Sequence, residues 1–175
     1  MKPHGVAPAE RPGTGAPPPV RVIGIGRTER GDDAAGRLVA RRLRDDPPPG
    51  VGVSECAGEF ATLLDLWDGA AAVIVVDALQ AGVAPGTLLR VDALTQPLPV
   101  PASASTHGFG LAQAVEIARA LHRLPQVLIV HGVEARGVEV LAGVSPEVAD
   151  ALEALTAAVR AEAALLAASL SSASR

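Results

Sequence analysis

The run Ala72-Val73-Ile74-Val75-Val76, closed by Asp77, is the segment that most constrains the fold. Its apolar residues do not alternate with polar ones, so both faces of the segment must be covered. That is the pattern of a strand at the centre of a parallel sheet with helices on either side. Asp77 falls at the carboxyl end of this strand. A carboxylate there is costly to desolvate unless it is paired, bound to a cation, or satisfied by backbone amides of the Ala78-to-Gly82 turn.

The flanking segments agree with that frame. Val20 to Ile25 reads as a strand ending in Gly24-Ile25-Gly26, and Asp32 and Asp33 open a helix running to about Arg44. In that helix Ala35, Leu38, Val39 and Leu43 share a face, with acids at its start and arginines at its end, as the helix dipole favours. Val51 to Cys56 predicts a second strand, Phe60 to Trp67 a short helix, and Thr87 to Val91 a strand reached through Ala84-Pro85-Gly86. So short a connection cannot form a parallel crossover, so this last strand is expected to be antiparallel. His107 to Leu121 predicts a helix, Gln126 to Val130 a buried strand, and Ser145-Pro146-Glu147 the start of a final helix reaching about Ala168. There Ser145 is placed to cap and Pro146 to take the first helical position. Alternating strands and helices predict an α/β fold whose ligands bind at the carboxyl ends of the strands.

Residues 1–19 contain six prolines and three glycines, and are expected to form a disordered tail. Residues 20–170 are expected to form one domain and 171–175 a frayed end. The chain has 175 residues, 49% hydrophobic and 2% aromatic, so Ala, Val, Leu and Ile must build the core. The scarcity of aromatic residues argues against base-stacking platforms, and a net charge of −4 without a basic stripe argues against nucleic acid. Arg37, Arg41, Arg42 and Arg44 read as a solvated helix face. The single cysteine excludes an intramolecular disulfide and fits a reducing compartment without proving one. The apolar C-terminal stretch is broken by Glu147, Asp150, Glu153, Arg160 and Glu162, so no membrane span is expected.

Gly24-Ile25-Gly26 invites a dinucleotide reading, which the next residues reject. The third fingerprint glycine is replaced by Glu29, and Asp32 and Asp33 would repel a pyrophosphate at the helix start. The same acids suit a cation, or serve simply as cap and dipole partner. His107, in Ser105-Thr106-His107-Gly108, opens a helix whose positive end keeps the ring neutral and able to ligate; otherwise it is a loop residue capping its own helix. Asp33, Asp77 and His107 together offer two carboxylates and an imidazole, a set that suits nickel or zinc. Cys56 reads as a small core residue, His131 as structural, His122 as exposed, and Glu59 as a dipole partner. Ser105 lacks a nucleophile elbow, and no HExxH motif is present.

Four blocks in register resemble the hydrogenase maturation endopeptidases. They are Val22-Ile23-Gly24-Ile25-Gly26 with Gly31-Asp32-Asp33 and Gly36; Val75-Val76-Asp77-Ala78 with Gly82 and Pro85-Gly86-Thr87; Ser105-Thr106-His107-Gly108 with Leu111; and Ser145-Pro146-Glu147-Val148. The resemblance implies a three-layer α/β/α sandwich with a mainly parallel five-stranded sheet containing one antiparallel strand. It implies a cytoplasmic, monomeric endopeptidase that removes the C-terminal extension of a nickel–iron hydrogenase large-subunit precursor after nickel insertion. By motif position, Asp33, Asp77 and His107 become its metal-contacting and catalytic residues. Nickel is supplied by the precursor, and zinc or cadmium are possible occupants in vitro. The chain departs from the family pattern at Arg27, where the family usually has Asn, and at Asp33, often Glu. Arg27 adds a positive charge that either suits substrate carboxylates or marks a shifted specificity. Whether catalysis is of aspartic type or assisted by the substrate's metal stays open. So do two other readings: a non-cleaving accessory that binds the nickel precursor, and a small-molecule hydrolase on a related scaffold.

Overall fold

A computed structural model describes residues 18–99, 110–139 and 143–173. Five strands, β1 (Val20–Ile25), β2 (Val51–Cys56), β3 (Ala72–Leu79), β4 (Leu88–Asp92) and β5 (Val127–Glu134), form one sheet in the order β2-β1-β3-β5-β4. All neighbours pair in parallel except β4, which runs antiparallel to β5. The helices are α1 (Ala35–Arg44), α2 (Phe60–Trp67), α3 (Leu111–Ala120) and α4 (Pro146–Ala173).

The core splits into two layers by strand parity. Val20, Val22, Ala72, Ile74, Val76, Ile129 and Val133 face α1 and α4, against Val39, Leu43, Leu152, Leu155 and Val159. Ile23, Ile25, Val73, Val75, Leu128 and Val130 face α2 and α3, against Leu63, Trp67, Val115 and Ala118. The α/β/α sandwich expected from the apolar run is therefore present, with β3 at its centre.

α1 leaves β1 toward β2 on one face, whereas α2 returns from β2 to β3 on the other. The connections thus diverge between β1 and β3, which makes the carboxyl edge at this point a natural crevice. Arg119 in the last turn of α3 donates to the Ala93 carbonyl beyond the end of β4, 2.6 Å away. The first turn of α3 therefore points toward the carboxyl edge.

Three local expectations need correction. Asp32 and Asp33 do not start an α-helix; they lie in a 3-10 turn, Gly31–Ala34, that precedes α1. The β3 and β5 strands run past their apolar cores to Leu79 and Glu134, so Asp77 sits within the ladder opposite Gly132 and not just beyond it. Polar residues continue these strands because each still finds a ladder partner. Finally, Arg37, Arg41 and Arg44 do not form a purely solvated face. They converge on Glu55 of β2 at 2.7, 3.1 and 2.9 Å, leaving Arg42 outward. α4 has the length and composition to cross a bilayer. It nonetheless buries Val148, Leu152, Leu155, Val159, Ala163 and Ala167, the stripe of a core helix.

Candidate active site at the β1–β3 crevice

Gly26 and Gly36 allow the first acid to approach β3. Gly26 has φ +133°, and a Cβ there would lie 1.7 Å from the Asp33 carbonyl oxygen. At Gly36 a Cβ would meet the Val76 carbonyl oxygen at 2.1 Å and that of Ile25 at 2.4 Å. Only glycine lets the start of α1 lie directly on the ends of β1 and β3. The Arg27 amide then donates to Asp33 Oδ2 at 2.8 Å, fixing that carboxylate over the crevice. The Arg27 side chain is exposed.

Asp77 has the strand parity of Val73 and Val75, so it belongs to the α2 and α3 face. Among the described residues its carboxylate accepts one hydrogen bond, from the Ala78 amide at 2.8 Å. Burial, and next to it the negative charge of Asp33, push the Asp77 carboxyl up to about 7. The turn-capping alternative is thus met in part, by one amide, which is too little to keep the group a strong acid. His107 lies outside the described residues, three positions before Gly110 at the amino end of α3. The structure therefore brings together two of the three expected site residues. Among the described residues no cluster of three or more His, Cys, Asp or Glu side chains is arranged to hold a metal.

The remaining candidates separate clearly. Cys56 is buried, and burial pushes its thiol up, away from nucleophilic use. His131 lies inside β5 under α4, with Nε2 2.5 Å from Glu162 Oε2. His122 is exposed. Glu59 occupies the position before α2 without a side-chain cap bond.

Two buried acids carry roles the sequence reading did not assign. Glu134, 4% exposed at the end of β5, accepts from the Ala81 and Gly82 amides at 2.8 and 2.9 Å and pins the loop that follows Asp77. Asp32, 1% exposed, accepts four hydrogen bonds from the segment between β5 and α4. Ser145, expected as a cap, spends its hydroxyl on Asp32. An acid that opens a helix reads as a cap or dipole partner, and nothing local identifies partners more than 100 positions away.

A protein-family model for hydrogenase maturation proteases matches residues 56–162. The chain belongs to the hydrogenase maturation protease family. The matched span includes Asp77 and His107, and Asp33 lies ahead of it. Among solved structures, the hydrogenase maturating endopeptidase HybD from E. coli is 26% identical, with a TM-score of 0.68 over 82% of this chain and 90% of that one. An endopeptidase from Escherichia coli, solved in solution, is 24% identical, with a TM-score of 0.69 over 80% and 88% of the two chains. The NiFe hydrogenase maturation protease HycI from Thermococcus kodakarensis is 24% identical, with a TM-score of 0.62 over 82% and 90%. The last two likenesses bear on the fold alone. No curated protein sequence matches the chain.

Proposed function

We propose that this family member is an endopeptidase that removes the C-terminal extension of a nickel–iron hydrogenase large-subunit precursor once nickel is in place. The observation that carries the reading is the convergence of Asp33 and Asp77 at the β1–β3 crevice of a maturation-protease fold. Two carboxyls close enough for one to raise the other's pKa form a site whose repulsion a divalent cation relieves. That cation is the nickel carried by the precursor, and Asp33, Asp77 and His107 complete its coordination. Carboxylate and imidazole ligands suit nickel, and also zinc or cadmium in vitro.

Two chemical roles follow for the acids. The substrate's metal polarises the scissile carbonyl or a water held beside it. Alternatively, Asp77, which titrates near neutrality, takes the proton from that water as general base. The protein acts as a cytoplasmic monomer on a folded precursor, with the exposed β1–β3 crevice as its contact.

Incubation with nickel-loaded and nickel-free precursor tests the reading. Loss of the extension from the loaded form only, with His107→Ala and Asp77→Asn each losing at least about 100-fold in rate while folded, is the expected result. Tight binding without cleavage identifies a non-cleaving accessory instead. Absence of both sinks the proposal and returns the small-molecule hydrolase. Equal processing by parent and both variants removes His107 and Asp77 from the mechanism and breaks the proposed constellation.

A further inference from the structure

Asp32 and Asp33 are adjacent, yet their carboxylates do different things. In a 3-10 turn successive side chains point about 120° apart. Asp33 takes the Arg27 amide and acts on Asp77. Asp32 turns the other way, into the segment that joins β5 to α4. Its Oδ2 accepts from the Arg136 amide at 2.8 Å, the Gly137 amide at 3.1 Å and the Ser145 hydroxyl at 3.0 Å. Its Oδ1 accepts from the Ser145 amide at 2.7 Å, and its own amide donates to the Gly137 carbonyl at 3.1 Å. One buried side chain thus ties together the turn after β1, the segment after β5 and the start of α4.

The turn itself has little intrinsic support. It is four residues long, and Arg30 ahead of it supplies no side-chain cap. Such a turn is a poor fixture for a carboxylate that must meet a second one across the crevice. We propose that Asp32 is a positioning residue for this site: it fixes the orientation of Asp33, and hence the spacing of the Asp33–Asp77 pair, by anchoring the Gly31–Ala34 turn to Arg136, Gly137 and Ser145. The proposal rests on the endopeptidase reading above for its catalytic readout, but its cation-binding readout is independent of that reading.

Asp32→Asn keeps the size of the side chain but presents an NH2 group to backbone donors. Ser145→Ala removes one of the four bonds and leaves the others. Both variants, Asp33→Asn, and the Asp32→Asn/Asp33→Asn double variant are compared with the parent. Folding is checked by far-ultraviolet circular dichroism, and cadmium affinity by calorimetry on the free protein. Steady-state cleavage is then measured on nickel-loaded precursor. The expected result for Asp32→Asn is a loss of 10–100-fold, as order of magnitude, in kcat and in cadmium affinity, with KM changed less than about threefold. Ser145→Ala should show a smaller loss in the same direction, and it carries the test if Asp32→Asn does not fold. Once Asp33 is gone, Asp32→Asn should add no further loss, because it acts through that residue.

A folded Asp32→Asn or Ser145→Ala protein that melts earlier but keeps the parent's kcat and cadmium affinity overturns the proposal. So does an Asp32→Asn loss that adds in full to that of Asp33→Asn. If the parent binds cadmium but does not cleave precursor, the endopeptidase reading fails, and a weaker cadmium affinity in Asp32→Asn still supports positioning. A parent that neither binds nor cleaves overturns both.

Discussion

Single residues at the crevice show how far a sequence discloses its own site. Asp77 was legible because a charge after an unbroken apolar run is conspicuous and costly. Asp33 was legible only as half of an acid pair whose members looked alike. What separates them is distant: Asp32's partners are contributed by Arg136, Gly137 and Ser145, while Asp33's is the nearby Arg27 amide. The glycines are the quieter determinant. An alanine at Gly36 gains about 1 kcal/mol in helix propensity. Its methyl, however, would lie 2.1 Å from the Val76 carbonyl oxygen, a contact that neither backbone can relieve cheaply. The clash wins, and Gly36→Ala is expected to destabilise the fold by about 1–3 kcal/mol. Urea unfolding of parent and variant measures this; an unchanged midpoint would mean that α1 shifts freely on the sheet.

At the scale of elements, alternation made the architecture readable, and the short link through Ala84-Pro85-Gly86 made the reversed β4 readable too. Strand ends were harder. β5 was expected to stop at Val130, where the apolar run ends, yet His131 and Glu134 beyond it are both buried in the strand. His131 is accommodated by α4: its Nε2 meets Glu162, which also receives Arg90 of the edge strand at 2.6 Å. These contacts fasten the far half of α4 to the β4–β5 edge. Truncating Glu162 to Ala strands a buried imidazole, at a cost on the order of 1.5–3 kcal/mol. Amide hydrogen exchange in the second half of α4 should accelerate with it. Replacing His131 and Glu162 together by Leu should recover most of the loss, since a buried pair is often exchangeable for apolar packing. Arg90, half exposed, can turn to water. A double variant as unstable as the single one would show that the pair contributes more than its own contact.

For the whole molecule, the titratable groups set two opposed dependences of stability on pH. Burial raises the carboxyls of Asp32, Glu55 and Glu162, but their donors outweigh it and all three end below the ordinary range. The donors are the Ser145, Gly137 and Arg136 groups for Asp32, Arg37 with Arg41 and Arg44 for Glu55, and Arg90 with His131 for Glu162. Their stabilisation is present above about pH 4 and is lost as pH falls through the folded values. Asp77 has the opposite sign. Its folded carboxyl is raised from 3.8 to about 7, so between those values the native state holds a proton that the unfolded chain has released. Its term is complete in acid and is lost as pH rises toward neutrality. The parent should therefore be most stable on the acid side of neutral, losing melting temperature from about pH 4 to pH 7 and levelling off above that. Asp77→Asn should remove that decline and leave the acid limb intact. A bound divalent cation favours the ionised carboxyl, so cadmium should raise the parent's melting temperature more at about pH 8 than at about pH 5. Asp77→Asn should show little of this rise. Thermal melts across pH, with and without cadmium, read both effects together. A decline that survives in Asp77→Asn would assign the neutral-side titration to a different group and take the crevice out of the molecule's pH response.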